Sequence, residues 1–266
     1  MYKIGFIGCG NMASAMIGGM LKQGVLKTEQ IIAAGPTLSK MEKIGQDLGI
    51  DVTIDNKEAA KQSEIIVLSV KPQMYKEVIR EIKDDITKEN IIVTIAAGVT
   101  MEKVDRWFGK ETKIIRTMPN TPALVGEAMV GMCHNEAMTQ DEVKIVKELF
   151  ESFGKVEEVE EKLMNAVVGV SGSSPAYVYM FIEAMADAAV IQGIPRKKAY
   201  TFAAQAVLGS AKMVLETGTH PGELKDAVCS PAGTTIEAVR KLEKSRFRSS
   251  VIEAVNAASE KGKELE

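Results

Sequence analysis

The first residues that can do chemistry form a glycine-rich turn close to the start of the chain. Gly8, Gly10 and Ala13 follow the apolar stretch 3–7 and precede a helical pattern over 12–20. Strand, glycine turn and helix together bring backbone N–H groups and the positive helix end to a dinucleotide pyrophosphate. The spacing predicts a dinucleotide site, and an ordinary Gly-rich turn is the alternative.

Other reactive side chains are few. The only histidines are His134 and His220, and the three cysteines, Cys9, Cys133 and Cys229, are scattered. This set has neither the spacing of a zinc site nor that of a disulfide framework, and reduced thiols are typical of a cytoplasmic protein. We therefore expect no metal and a mechanism that depends on an organic cofactor.

The composition excludes several other classes of protein. The chain has 266 residues, a formal net charge of −3, 45% hydrophobic and 26% charged residues. With a negative net charge, the chain gives no sign of a basic surface for binding nucleic acid. No apolar run approaches the roughly 20 residues that a membrane span needs. The first strand begins almost at Met1, so we expect no signal peptide and a cytoplasmic location.

Strand and helix patterns alternate up to about residue 159, and only helical patterns follow. The alternation predicts a doubly wound sheet with helices on both faces. The predicted fold class is therefore α/β plus all-α, with a Rossmann-type dinucleotide-binding domain over 1–160 and a helical domain over 161–266. Because the helix over 176–192 is apolar nearly all round, apart from Glu183 and Asp187, we expect a second subunit to cover it.

The end of the predicted second strand, 30–34, bears on the choice between NADPH and NADH. No carboxylate lies between Glu29 and Glu42, where an NAD-type site places an acid on the ribose diol. Thr37, Ser39 and Lys40 could instead hold a 2′-phosphate, although Thr37 or Ser39 could simply cap the next helix. We predict that NADPH binds at least as well as NADH.

Two further strand ends are candidates for cofactor contact, because ligands of such sheets bind at the carboxyl ends of strands. Lys71 and Pro72 follow the buried strand 64–70, and the small residues Ala96 and Ala97 end the strand 91–98. For Lys71, a solvated loop position explains the sequence equally well.

A hydroxyl-rich turn within the helical part is the candidate substrate loop. Ser230, Thr234 and Thr235 surround Gly233 just before a helix. Thr234 and Glu237 match a capping box, which accounts for those two residues alone. N–H groups and hydroxyls at such a turn would also suit a small carboxylate.

The whole chain resembles the pyrroline-5-carboxylate reductase family. The resemblance rests on the stretches 5–13, 70–73, 116–122, 171–177 and 230–236, of which the last is the most specific. Ala232 and Ser174 stand where that family usually or often has glycine. We expect residue 232 to avoid a glycine-only backbone conformation, or the loop to shift slightly.

The resemblance implies the roles of individual residues. Ser230, Gly233 and Thr234 would hold the substrate carboxylate, Thr235 would face the ring nitrogen as the catalytic residue, and Glu161 would lie near the substrate. The active site would lie between the cofactor and the loop. Together with the glycine turn and the strand ends, it assigns cofactor contacts to Gly8, Cys9, Gly10, Asn11, Met12, Ala13, Thr37, Asn56, Val70, Lys71, Pro72, Ala96 and Ala97.

The implied reaction converts (S)-1-pyrroline-5-carboxylate, NAD(P)H and a proton to L-proline and NAD(P)+. It is the last step of proline biosynthesis, and in this family it is carried out by a homodimer that often assembles into decamers. One alternative is a β-hydroxyacid-type dehydrogenase, but no lysine lies between Lys162 and Arg196 to serve as the catalytic lysine of that class. The other is a non-catalytic dinucleotide-binding protein, which would not need Ser230 and Thr235.

Overall fold

The computed structural model describes residues 1–266, and these form two compact units. The first unit comprises Met1–Ser173 and Asn256–Glu266, and the second comprises Ser174–Val255. The domains predicted from the sequence, 1–160 and 161–266, divide the chain at a different point, and that division stays a prediction. Each unit is described by itself below.

The first unit is built on one eight-stranded sheet with the strand order β3-β2-β1-β4-β5-β6-β7-β8. All neighbouring strands run parallel except β6 and β7. The strands are β1 Tyr2–Ile7, β2 Ile31–Ala34, β3 Asp51–Thr53, β4 Ser63–Leu68, β5 Ile91–Thr94, β6 Lys113–Met118, β7 Ala128–His134 and β8 Gly154–Glu158.

Helices cover both faces of this sheet. Those before β8 are α1 Asn11–Lys22, α2 Leu38–Leu48, α3 Asn56–Lys61, α4 Tyr75–Ile82, α5 Met101–Phe108 and α6 Gln140–Glu151. Because side chains alternate along a strand, Phe6 enters the core that contains Met16 and Phe150, whereas Ile7 enters the core that contains Tyr75 and Phe108. The predicted doubly wound sheet is confirmed.

The direction of β7 departs from the predicted pattern of parallel strands. Between β6 and β7 the chain forms only a short 3-10 helix, Thr121–Val125, which has Pro122 in its first turn. A parallel pair needs a crossover of a dozen residues or more, whereas antiparallel neighbours need only a short link. β7 therefore runs antiparallel to β6.

No strand follows β8, as the sequence predicts. After a 3-10 turn, Glu161–Leu163, come α7 Met164–Val167 and a π-helical segment, Val168–Gly172. The remaining helices are α8 Ser174–Ile191, α9 Arg196–Thr217, α10 Pro221–Ala227, α11 Thr234–Lys244 and α12 Phe247–Leu265. The sequence pattern does not predict α10, because seven residues are too few to show a helical period. His220 caps this helix by accepting a hydrogen bond from the Gly222 N–H at 3.1 Å.

The second unit has a small core of its own. Ala186, Ala199 and Ala203 are buried where α8 and α9 pack together. Tyr179 and Met180 of α8, by contrast, are 60% and 69% exposed. A single chain therefore leaves most of this apolar helix uncovered. No helix has both the length and the apolarity needed to cross a membrane.

Candidate functional site

The sheet brings four of the predicted cofactor segments to one edge. Ile7 pairs in register with both Ala34 and Leu68, and Leu68 pairs with Thr94. The carboxyl ends of β1, β2, β4 and β5 are therefore neighbours, and strand order reverses at β1, where such sheets bind ligands. Segments 8–13, 35–37, 69–72 and 95–97 all start from this edge.

The glycine turn after β1 is held by the end of β4. Gly8 has a φ of +89°, and a Cβ there would lie 2.6 Å from Val70 Cγ1. The Ser69 hydroxyl donates to the Gly8 carbonyl at 2.5 Å, and the Ser69 N–H donates to Ile7 at 2.9 Å. Only glycine fits at position 8, for reasons of conformation and space.

Gly10 stands in open space at the start of α1. It is the N-cap residue, its φ of −97° suits any residue, and no protein atom would lie within 4 Å of a Cβ added there. Packing does not explain a glycine at this position, whereas close approach of a ligand to the backbone does. The free N–H groups of the first turn of α1 face the same space, so the turn fits a dinucleotide diphosphate.

The remaining residues of the turn divide between packing and exposure. Ala13 is buried against the sheet, Asn11 is exposed, and Met12 is half-buried. Cys9 Sγ lies 3.9 Å from Ser14 Oγ, and burial raises the pKa of the Cys9 thiol above its ordinary value. Cys9 is therefore a neutral thiol at the turn rather than a nucleophile.

The segment after β2 leaves a hydroxyl free. Thr37 is the N-cap residue of α2, but its exposed side chain makes no capping hydrogen bond. The alternative of a simple Thr37 cap is thus not supported, and the hydroxyl is available to a ligand. Asn56, at the start of α3, donates its side-chain amide to Glu81 at 2.8 Å.

A buried tyrosine joins the ends of β4 and β5. The Tyr75 hydroxyl donates to the Leu68 carbonyl and accepts from Thr94 Oγ1 at 3.0 Å and from the Ile95 N–H at 3.3 Å. Burial raises its pKa to about 12, so it stays a hydrogen-bond donor. Tyr75 therefore holds the carboxyl ends of β4 and β5 together. The exposed residues Lys71 and Pro72 follow the first of these strand ends, and the segment 95–97 follows the second.

Glu161 has protein partners in the structure. Its Oε1 accepts from the Met101 N–H at 2.7 Å and from Arg116 Nη1 at 3.0 Å. Burial, and to a smaller extent the Glu161 carboxylate, raises the pKa of the nearby Cys133 thiol to about 12. These contacts give Glu161 a structural role, and substrate contact stays a prediction.

The candidate substrate loop links α10 to α11 in the second unit. The Gly233 N–H donates to the Ser230 carbonyl at 3.0 Å, and a Cβ at Gly233 would lie 2.3 Å from Ser230 Oγ. A side chain at position 233 would therefore force the Ser230 hydroxyl away from its place against the helix start. The Gly233 N–H is already engaged, so the free donors are the first-turn N–H groups of Thr234 and Thr235.

One expectation about this loop is wrong: the predicted capping box is absent, because Gly233 is the N-cap residue and Glu237 bonds to Arg240 Nε at 2.9 Å. The hydroxyls of Thr234 and Thr235 are thereby left without a capping role. Ala232 adopts a φ of +58°, in the left-handed region that favours glycine but that other residues can enter at some cost in free energy.

Nothing in the structure resembles a metal centre, since no group of three or more His, Cys, Asp or Glu side chains could hold an ion. The first unit thus presents a doubly wound sheet with a glycine turn at its switch point. That combination defines the class of dinucleotide-binding α/β proteins.

Comparison with known proteins gives the family. Residues 161–265 match the family described as pyrroline-5-carboxylate reductase dimerisation, and residues 3–98 match NADP oxidoreductase, coenzyme F420-dependent. The chain is 51% identical to pyrroline-5-carboxylate reductase of Escherichia coli over 99% of this chain and 98% of the relative.

Solved structures agree with this assignment. The reductase of Coxiella burnetii has a TM-score of 0.93 at 34% identity, covering 99% of this chain and 98% of that one. The Plasmodium falciparum enzyme, solved with NADP bound, has a TM-score of 0.90 at 34% identity and the same coverage. The chain belongs to the pyrroline-5-carboxylate reductase family, and its helical half contains the dimerisation domain of that family.

Proposed function

We propose that this protein reduces (S)-1-pyrroline-5-carboxylate to L-proline with NAD(P)H. The observation that carries the proposal is the 51% identity to a named reductase along essentially the whole chain. Neither alternative function, a β-hydroxyacid-type dehydrogenase or a non-catalytic dinucleotide-binding protein, has comparable support.

The glycine turn and the neighbouring strand ends would hold the cofactor. The open space at Gly10 and the free Thr37 hydroxyl support a diphosphate and a 2′-phosphate respectively. When bound, the reduced nicotinamide supplies a hydride. NADPH is the preferred cofactor in this proposal, because no carboxylate between Glu29 and Glu42 would repel the 2′-phosphate.

The loop before α11 would bind and orient the substrate. Ser230 Oγ and the first-turn N–H groups would bind its carboxylate, which is present throughout the reaction. The Thr235 hydroxyl would donate to the ring nitrogen and pass on a proton from water. An imine carbon is already electrophilic, so orientation of the reactants supplies most of the rate enhancement.

A homodimer formed through the helical domain completes the proposal. The exposed apolar side chains of α8 and the match to a dimerisation domain support it. Assembly into decamers stays a prediction from the family resemblance. The three free cysteines support a cytoplasmic location.

Oxidation of NADPH by purified protein, with and without pyrroline-5-carboxylate, tests the activity. Gly10→Val should raise the Kd for NADPH by at least about tenfold, or about 1.4 kcal/mol, because the side chain would fill the ligand space without touching protein. Gly18→Ala is the matched control, since a Cβ there also meets no protein atom.

The outcomes separate the parts of the proposal. NADPH oxidation that does not depend on pyrroline-5-carboxylate would refute the activity. Unchanged NADPH affinity in folded Gly10→Val would refute the cofactor site. A preference for NADH of about tenfold or more would refute the 2′-phosphate argument.

A further inference from the structure

Arg116 is a buried cation in the middle of the otherwise apolar part of β6. Its side chain is fully buried, and it pairs in register with Thr94 of β5 on one side and Cys133 of β7 on the other. Burying a charge is costly unless partners compensate it. The proposed chemistry gives this arginine no task, so its contacts need another explanation.

Two carboxylates from distant parts of the chain meet Arg116. Nη1 donates to Glu161 Oε1 at 3.0 Å, and Nη2 donates to Glu266 Oε1 at 2.9 Å. Both glutamates are more than two-thirds buried as side chains, whereas Arg116 Nε is buried without a partner. The buried positive charge of the guanidinium is therefore compensated by these two carboxylates.

Both carboxylates also belong to segments that hold the loop between β5 and α5, residues 95–100. Glu161 accepts from the N–H of Met101 at 2.7 Å, and Met101 is the first residue of α5, directly after this loop. Next to Glu266, Leu265 lies against Gly98: a Cβ at Gly98 would be 2.7 Å from Leu265 Cβ and 3.0 Å from its carbonyl oxygen. Gly98, with a φ of +74°, is the residue that permits this close contact.

The C-terminal end of α12 packs closely against α7. Gly262 is buried, and a Cβ there would lie 2.8 Å from Asn165 Oδ1. The helix therefore lies so close to α7 that a larger residue at position 262 would displace the Asn165 side chain. Glu266 is thus presented to Arg116 by a packed helix end rather than by a free tail.

We propose that Arg116 is a positioning residue for the cofactor. It binds both Glu161 and Glu266, whose segments contact the β5–α5 loop, and so holds that loop in place. The inference rests on the proposed contact of Ala96 and Ala97 with the cofactor. Because its side chain is fully buried, we expect Arg116 to contact neither reactant. Its effect on the reaction passes through the loop that carries Ala96, Ala97 and Gly98.

Glu266→Gln tests the ion pair between Arg116 and Glu266 with little change in the shape of the side chain. It removes the charge that partners Arg116 Nη2, so the loop is held less firmly. The Kd for NADPH should rise about three- to tenfold, less than for complete loss of a charged hydrogen bond, because Gln can still accept a neutral one. NADPH titration without the second substrate isolates this effect. The KM for pyrroline-5-carboxylate should change less than about twofold, because the proposed substrate loop is in the other unit.

Glu264→Gln is the matched control on the same helical turn. Glu264 pairs with Lys261, and both side chains are about two-thirds exposed, so this variant should bind NADPH like the wild type. Glu161→Gln and the double variant complete a thermodynamic cycle. If both carboxylates act through Arg116, the double variant should weaken NADPH binding less than the product of the two single effects.

Two results would overturn the inference. One is an unchanged Kd for NADPH in Glu266→Gln; a lowered Tm in that variant would then indicate a purely structural ion pair. The other is a double variant whose effects simply multiply. Gly10→Val reports separately on the cofactor site, so if it weakens NADPH binding while Glu266→Gln does not, only the role of Arg116 fails.

Discussion

Ser230 and Thr235 occupy one short turn, yet the proposed chemistry gives them different tasks. Ser230→Ala should mainly raise the KM for pyrroline-5-carboxylate, because it removes a carboxylate contact that is present throughout the reaction. Thr235→Ala should mainly lower kcat, by about ten- to a hundredfold, because its bond to nitrogen matters most as hydride arrives. Steady-state kinetics with both substrates measures this division.

Thr235→Ser supplies the control for that prediction, since it restores the hydroxyl and should recover much of the lost kcat. The Kd for NADPH should change little in the alanine variants, because the proposed cofactor turn is in the other unit. Full kcat in a folded Thr235→Ala variant, checked by circular dichroism, would mean that Thr235 only begins a helix.

Ala232 holds a backbone conformation that costs free energy. In the left-handed region its Cβ crowds the following carbonyl, at a cost of about 1–2 kcal/mol. Ala232→Gly should therefore raise Tm by a few degrees, corresponding to about 0.5–1 kcal/mol after the larger chain entropy of glycine is allowed for. Thermal unfolding at fixed protein concentration measures the change.

Ala238→Gly is the comparison variant for Ala232→Gly. Ala238 lies within α11, where glycine should lower stability by about 1 kcal/mol. Opposite signs of the two Tm shifts are therefore expected. A Tm lowered equally in both variants would show that residue 232 carries no strain.

At the scale of elements, Tyr75 connects α4 to the carboxyl ends of β4 and β5. Tyr75→Phe would leave the Leu68 carbonyl and the Ile95 N–H without this partner in a buried place, and should cost about 1–3 kcal/mol of unfolding free energy. Tyr2→Phe is the control, because the Tyr2 hydroxyl bonds to Asp51 at an exposed position and should contribute about 0.5 kcal/mol or less. Equal losses in the two variants, measured by urea unfolding, would contradict the role of Tyr75.

At the scale of the whole molecule, the helical unit is incomplete as a single chain. Tyr179, Met180 and Phe202 are each at least 60% exposed, more apolar surface than a stable monomer normally presents. We expect sedimentation at micromolar concentration to show a dimer or a larger assembly, and Met180→Glu to weaken it. Val25→Glu, an exposed apolar position in the other unit, should leave assembly unchanged; a stable, active wild-type monomer would contradict the prediction.

Features that depend on neighbours along the chain could be predicted from the sequence. Three features follow from side-chain spacing: the turn with Gly8 and Gly10 after an apolar strand, the alternation of strands and helices, and the apolar character of α8 all round. Spacing predicts them because local backbone geometry sets the direction of each side chain. The family resemblance added the roles of Ser230 and Thr235, which spacing alone left open between a helix cap and a carboxylate site.

Features that depend on packing between distant segments could only come from the tertiary structure. It made the ends of β1, β2, β4 and β5 neighbours, turned β7 antiparallel, and paired Arg116 with Glu161 and Glu266. It also held Ala232 in a conformation that its own propensity disfavours, because the turn before α11 must close on Ser230 and Gly233. Such contacts are selected by the free energy of the whole fold, so no local pattern in the sequence records them.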